Sequence, residues 1–346
     1  NKDFHLAVMS LLSSHNRDEI FDRYFELTGD LEIDHLQRIH QFWHADRSEK
    51  KQDFTPSSIA MLAATLTTKE GRHYKLYDVC AGSGALTIAH WRVNKSIEVQ
   101  CEELDERLMP LLLFNLAIRN IPGYVLNKNI LTGETYKAYC LTRGEKYSAI
   151  SETESPRPQQ YDAVVSNPPY NIPWTPVTDE RFLHCEESIM KLKSNANFAF
   201  VLHALHYLKQ DGTAALILPK SVLVSATPEE KIRAYLTEEN ILDAVVSLPE
   251  KMFESTDIPT CILTLKKAKT PEEKISIIDA RETCTQETRD QRGEGGACHA
   301  NRVYHKTLNV LLSEPISKIA AAAEHKTEEP GFSAAATAEE VRKNGN

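Results

Sequence analysis

Ser166, Asn167, Pro168, Pro169 and Tyr170 follow directly on the strand-like run 161–165. Residues of these types at this spacing are suited to holding a weakly nucleophilic nitrogen. An exocyclic or amide nitrogen reacts poorly because its lone pair is delocalised. The Asn167 side-chain oxygen and the Pro168 main-chain carbonyl can accept its two N–H bonds. That fixes the nitrogen and shifts electron density towards a tetrahedral lone pair. Two successive prolines stiffen the backbone that carries these acceptors, and Tyr170 offers a flat face for a target ring. Asn and Pro also favour ordinary turns. A turn at the carboxyl end of a strand is, however, where ligands of α/β sheets bind. Transfer of an already activated group at such a site requires neither a metal nor a strong general base.

A second cluster lies upstream, in Asp78-Val79-Cys80-Ala81-Gly82-Ser83-Gly84-Ala85-Leu86. Two glycines between a strand and a helix let the backbone approach a ligand closely. The third glycine of the dinucleotide pattern is replaced by Thr87, and an acid, Asp78, precedes the turn. An acid there suits a ligand bearing amino or hydroxyl groups and opposes a pyrophosphate. Glu103 follows Gly84 by nineteen residues, the distance at which an acid meets the ribose hydroxyls of an adenosine-type cofactor. Strand, acidic glycine turn, helix, strand and acid together point to S-adenosylmethionine.

The elements that position these residues follow from periodicity. Residues 1–50 carry helical spacing (Phe21, Tyr24, Phe25, then Leu36, Ile39, Trp43) and predict a small helical N-terminal region. A further helix should start at Thr55 as N-cap with Pro56 at its first position. From residue 74 strands (75–80, 97–102, 124–129, 161–165, 214–218, 242–247, 260–265) alternate with helices (84–92, 108–119, 198–208, 229–236). This predicts an α/β fold with a mostly parallel twisted sheet and helices on both faces. Residues 132–160 read as a polar excursion or loop, 275–279 as an added strand, and 281–302 as a solvated loop. The expected domains are 1–50, 51–268 as the catalytic domain, and a C-terminal extension over 269–346 with an Ala-rich piece at 319–323.

The chain has 346 residues, with 40 Lys and Arg against 49 Asp and Glu, a net charge of −9. Between 151 and 190 seven acidic side chains face two basic ones. This balance counts against a protein that coats nucleic acid unaided, because phosphate binding draws on a surplus of Lys and Arg. The most apolar stretch, 108–118, is well short of a membrane span. No signal peptide is evident. Seven cysteines, three of them in apolar strands (Cys80, Cys101, Cys261), predict reduced thiols in the cytoplasm. Cys284, Cys298, His299 and His305 lack metal-ligand spacing. His203 and His206 read as a partly buried pair, and Lys266, Lys267 and Lys269 as a solvated strand end.

Asp78 to Ala85 together with Asn167 to Tyr170 resemble the signatures of amino-group N-methyltransferases. Gln52-Asp53-Phe54-Thr55-Pro56 resembles an element of N6-adenine DNA methyltransferases. Glu103-Leu104-Asp105 with Phe114-Asn115-Leu116 resembles the modification subunit of type I restriction-modification systems. So do Ile217-Leu218-Pro219 with Val222-Leu223, Leu248-Pro249 through Phe253, and Ile258-Pro259-Thr260-Cys261-Ile262-Leu263. The resemblance spans about 52–268, with a weaker echo at 332–345. It implies a Rossmann-like S-adenosylmethionine-dependent fold and a target adenine flipped out of double-stranded DNA. By that resemblance Phe54, Thr55 and Pro56 border the cofactor, and Asp78, Cys80, Ala81, Gly82, Ser83 and Gly84 wrap its methionine part. Glu103 holds the ribose, and Asn129 with Ile130 meets the adenine. Asn167, Pro168, Pro169 and Tyr170 act on the base, with Phe253 either a second stacking face or a core residue. Asn129 stands where the family often has Asp. The resemblance further implies a separate specificity subunit and a restriction subunit as partners. The Asn344-Gly345-Asn346 end falls within a stretch that usually continues, so a truncated C-terminal extension is expected. Glutamine-N5 methylation of proteins, base methylation of ribosomal RNA, and a non-catalytic scaffold remain as alternatives.

Overall fold

The computed structural model describes residues 4–43, 54–68, 73–253, 256–282, 284–292 and 298–308. Its contacts divide the chain into two units, residues 1–167 and 168–346.

The first unit opens with three helices, α1 (Phe4–Leu12), α2 (Arg17–Thr28) and α3 (His35–Trp43), followed by α4 (Ser57–Thr67). Then β1 (Tyr74–Val79), α5 (Ala85–Val93), β2 (Ile97–Glu103), α6 (Met109–Ile118) and β3 (Gly123–Lys128) alternate as the periodicity predicts. After β3 come β4 (Thr135–Thr142), β5 (Ala149–Glu152) and β6 (Tyr161–Ser166). The strand order in this unit is β6-β1-β2-β3-β4-β5. The first four strands are parallel, while β4 and β5 add as an antiparallel edge.

That edge corrects the reading of 132–160 as a loop. Ala138, Tyr139 and Leu141 are buried, whereas Tyr136, Lys137 and all of β5 are not, so burial is confined to part of β4 and the apolar alternation is faint. Buried residues occupy both faces of β1, β2 and β6, as strands covered by helices require, with Ile97, Val99 and Cys101 on one face of β2 and the buried polar Gln100 and Glu102 on the other. The whole of α6 is buried, which explains its continuous apolar sequence.

In the second unit α7 (Glu186–Ile189), α8 (Asn197–Tyr207) and α9 (Glu229–Glu238) accompany β7 (Leu208–Pro219), β8 (Leu242–Ser247), β9 (Thr260–Lys266) and β10 (Ser276–Asp279). The order is β10-β8-β9-β7, with β9 antiparallel to both neighbours and β10 parallel to β8. A separate hairpin joins β11 (Cys284–Arg292) and β12 (Cys298–Leu308), which replaces the loop expected over 281–302. Its polar, charged sequence hides the strand signal that an apolar face normally supplies.

Among the described residues no helix is long and apolar enough to cross a membrane. The expectations for 319–323, 332–345 and the C-terminal end, and for Gln52 and Asp53, lie outside the described residues.

Candidate functional site

Parallel pairing sets the site. The register places Val79 beside Glu102 and beside Ser166, so β1, β2 and β6 end at one level of the sheet. The glycine turn, Glu103 and Asn167 therefore leave adjacent strands at the same carboxyl edge, where α/β sheets bind ligands.

The turn after β1 is built on positive φ at Cys80 (65°), Gly82 (59°) and Gly84 (97°). A Cβ at Gly84 would stand 3.0 Å from Leu112 Cδ1, so close packing against α6 as well as conformation demands glycine. The Ala81 N–H donates to Glu102 O at 2.9 Å and the Gly84 N–H to Ala81 O at 2.8 Å. The Cys80 thiol is pushed well above its ordinary value, chiefly by burial, which keeps it protonated.

Glu103 is buried. Its two carboxylate oxygens accept the Gly82 N–H at 2.8 Å and the Asp105 N–H at 2.7 Å. Burial raises its pKa, with these backbone donors opposing the rise. Asn127, which sequence reading did not single out, donates to the carbonyls of Glu103 and Leu104 at 3.0 and 2.9 Å. It thereby fixes the backbone that presents the acid. Its place two residues before Asn129, at the end of a strand, was the available signal.

Asp78 is fully buried. Oδ2 accepts the Thr87 backbone N–H at 3.1 Å and its hydroxyl at 2.7 Å, tying the end of β1 to the first turn of α5. Oδ1 and the buried Ser83 hydroxyl have no hydrogen-bond partner among the described residues. Burial pushes the Asp78 carboxyl up to about 7 from an ordinary 3.8. The folded chain therefore keeps a proton that the unfolded chain releases between about pH 4 and pH 7. Stability falls as pH rises through that window. Asp78→Asn should flatten this slope and raise stability at pH 8 by up to a few kcal/mol. Melting curves from pH 4 to pH 8 check this, and an unchanged slope in the variant would contradict it.

Phe54 and Thr55 come from the segment before α4. The Phe54 ring lies over Gly82, with Cε1 3.8 Å from where a Gly82 Cβ would stand. Thr55 does not cap the helix as expected. Pro56 takes the cap position without a side-chain capping bond, and the Thr55 hydroxyl accepts from Asn167 Nδ2 at 3.0 Å. The two residues are far apart in sequence, and the hydroxyl serves the Asn167 amide in place of a helix N–H. Asn129 Oδ1 accepts the N–H groups of Leu131 and Thr132 at 3.1 and 3.3 Å, so its carbonyl closes its own turn. Ile130 beside it is buried.

In the second unit Pro168 and Tyr170 are buried and Pro169 is half-buried. The Tyr170 ring meets Phe253 edge to face, at 6.3 Å and 85°. Phe253 is a core residue, 1% exposed. Asn171, in the left-handed region (φ 52°), donates its N–H to Asn197 Oδ1 and accepts from Asn197 Nδ2 at 2.9 Å. This reciprocal clamp follows the tyrosine immediately.

The remaining sequence candidates have partners of their own. Cys284 and Cys298 fall at opposite ends of the β11–β12 hairpin, facing Leu308 and Arg292. Among the described residues no cluster of three metal-capable side chains occurs. His203 is buried beside Arg181, and His206 lies 3.8 Å from Glu180. Lys266 pairs with Asp243, while Lys267 and Lys269 donate to the carbonyls of Leu208 and Leu242. The basic run thus ties strand ends together.

Comparison with known proteins gives the family. The chain is similar to the Type I restriction enzyme MpnII methylase subunit of Mycoplasma pneumoniae, 32% identical over 251 residues, covering 69% of this chain and 44% of that protein. It is also similar to the Type I restriction enzyme HindI methylase subunit of Haemophilus influenzae, at 27% identity, covering 70% and 52%. The chain thus spans about half the length of these curated relatives. Among solved structures it resembles the type I restriction-modification system methyltransferase subunit from Streptococcus thermophilus, with a TM-score of 0.62, 25% identity, and coverage of 96% of this chain and 63% of that one. The profile of the N-6 DNA Methylase family matches residues 35–295, and the chain belongs to that family.

Proposed function

We propose that this chain forms the catalytic part of a type I-like modification subunit. In this reading it transfers a methyl group from S-adenosylmethionine to N6 of a flipped-out adenine in double-stranded DNA. The observation that carries the reading is the common strand edge of the glycine turn, Glu103 and Asn167, with Thr55 holding the Asn167 amide.

The donor set suits the cofactor. The turn from Asp78 to Gly84 holds an acid and no Lys or Arg, and two of its buried oxygens, Asp78 Oδ1 and Ser83 Oγ, lack partners within the described residues. Such a cradle favours amino and hydroxyl groups over phosphate. Glu103 would hold the ribose hydroxyls, and Phe54, Thr55, Pro56, Cys80, Ala81, Gly82, Asn129 and Ile130 would complete the wall. Bound S-adenosylmethionine would supply a methyl group already activated by the sulfonium charge.

The chain's own part is to hold the nitrogen. Asn167 Nδ2 donates to Thr55, and the amide oxygen is by its chemistry the atom that would accept an amino N–H. The Pro168 carbonyl would accept the second, and Pro169 keeps that carbonyl in place. Tyr170 would stack on the extruded base. Transfer to the nitrogen so held would leave the electron pair of the methyl–sulfur bond on sulfur, and N6 would give up one proton to solvent. None of these roles requires a metal.

The charge of −9 fits a catalytic subunit whose grip on DNA comes from a specificity subunit, with a restriction subunit as a further partner. The chain alone should bind duplex DNA with a dissociation constant no tighter than about 10 µM at physiological salt. Addition of a specificity subunit should tighten binding and make it steeply salt-dependent. Fluorescence anisotropy at several salt concentrations measures both, and tight binding by the chain alone would count against a separate DNA-reading partner.

A further inference from the structure

Arg119 is 3% exposed yet makes no ion pair within 4 Å among the described residues. Its guanidinium is held by oxygens from two directions. Nε donates to Leu31 O at 2.7 Å and Nη2 to Ile33 O at 3.1 Å, both in the segment between α2 and α3. Nη1 donates to Asn115 O at 2.8 Å and to Asn115 Oδ1 at 2.9 Å on its own helix α6. Asp34 and Asp30 supply the nearby negative charge.

The chain of contacts continues. With Oδ1 engaged by Arg119, the Asn115 amide presents Nδ2 to Ser83 O and donates to it at 2.9 Å. The next N–H, that of Gly84, donates to Ala81 O. The Ser83–Gly84 peptide is thus clamped at its carbonyl from α6 and at its N–H from within the turn. Rings from α2 dock on the same helix: Phe21 and Tyr24 meet Phe114, next to Asn115, edge to face at 4.9 and 5.1 Å.

We propose that Asn115 and Arg119 are positioning residues for the glycine turn, through which docking of residues 31–33 sets the turn's affinity for the cofactor. The inference rests on the reading that this turn holds S-adenosylmethionine. A conventional core role would stabilise α6 without reaching the ligand. The relay differs because it ends on a peptide of the glycine turn itself, whose plane Asn115 fixes. Lysine cannot replace the arginine, because one ammonium cannot span the carbonyls on both sides as the planar fork does.

The test is calorimetric titration of the full chain with S-adenosylhomocysteine. Asn115→Ala and Arg119→Lys should each weaken binding by about tenfold, the loss of one buried hydrogen bond. The double variant should also lose about tenfold, because both changes act on the same Ser83 carbonyl. Losses that multiply, or affinities within about twofold of the original in variants that melt cooperatively, would overturn the relay. If the variants do not fold, hydrogen exchange on the unaltered chain decides. Coupling is reciprocal, so saturating S-adenosylhomocysteine should slow exchange across residues 29–37. Protection confined to residues 80–86 would overturn the proposal. Failure of the unaltered chain to bind S-adenosylhomocysteine would instead remove the cofactor assignment on which the relay rests.

Discussion

Replacing Asn167 with alanine is expected to lower methyl transfer by about 10³-fold while leaving S-adenosylhomocysteine affinity within about twofold. The amide oxygen is one of two acceptors that would hold the target nitrogen, and its orientation is set by the 3.0 Å bond from Nδ2 to Thr55. Alanine removes both the acceptor and its tether. It leaves β6 intact, because the buried part of that strand ends at Ser166. Single-turnover kinetics with radiolabelled cofactor and an adenine-containing duplex would separate the two effects. A variant that keeps its rate, or that loses cofactor binding in proportion, would contradict the assigned role.

The second large effect concerns Glu103. Its oxygens accept two backbone N–H groups, from Gly82 in the cofactor turn and from Asp105 in its own loop. Each carboxylate oxygen retains capacity for a further donor, which the ribose hydroxyls would supply. Glu103→Ala removes those acceptors and leaves the Gly82 N–H without its partner at a half-buried position. Hydrogen bonds to a charged group contribute about 1.5–3 kcal/mol each. S-adenosylhomocysteine affinity should therefore fall by about 100-fold or more. Glu103→Gln, which keeps one acceptor, should fall less. Calorimetry on both variants checks the order, and an affinity for Glu103→Ala within about threefold of the original would show that the ribose is held elsewhere.

Much of this site was legible in the sequence because its parts are local. Segment 161–165 is a strand-like run that ends in Ser-Asn-Pro-Pro-Tyr, and the glycine turn sits between a buried strand and a helix whose start its own spacing marks. Long-range polar contacts were not legible. Thr55 has the composition of an N-cap, and nothing near it in sequence announces that its hydroxyl serves Asn167. Arg119 reads as the charged residue that ends an apolar helix. It is buried because two main-chain carbonyls, at Leu31 and Ile33, accept from it. Backbone carbonyls are common to every residue type and carry no sequence signal. The β4–β5 edge escaped for another reason. With burial confined to part of β4, its residues alternate too weakly to separate a strand from a polar loop.

The acidic character of the chain acquires a physical role in this account. Seven acidic residues against two basic ones lie over 151–190, the stretch of sequence that contains the Asn-Pro-Pro-Tyr turn. A base held there would be reached by extrusion from a duplex gripped elsewhere. Affinity for DNA and chemistry on the base would then reside on different polypeptides, and Asn167→Ala should leave DNA binding by the assembled complex unchanged.

The most direct test is methyl transfer itself. The chain, together with a type I specificity subunit, would be incubated with S-adenosylmethionine and, side by side, with duplex DNA, a release-factor protein and ribosomal RNA. The modified product would then be identified by mass spectrometry. The account predicts N6-methyladenine in the DNA and its loss with Asn167→Ala. Methylated glutamine or methylated RNA alongside unmodified DNA would contradict it.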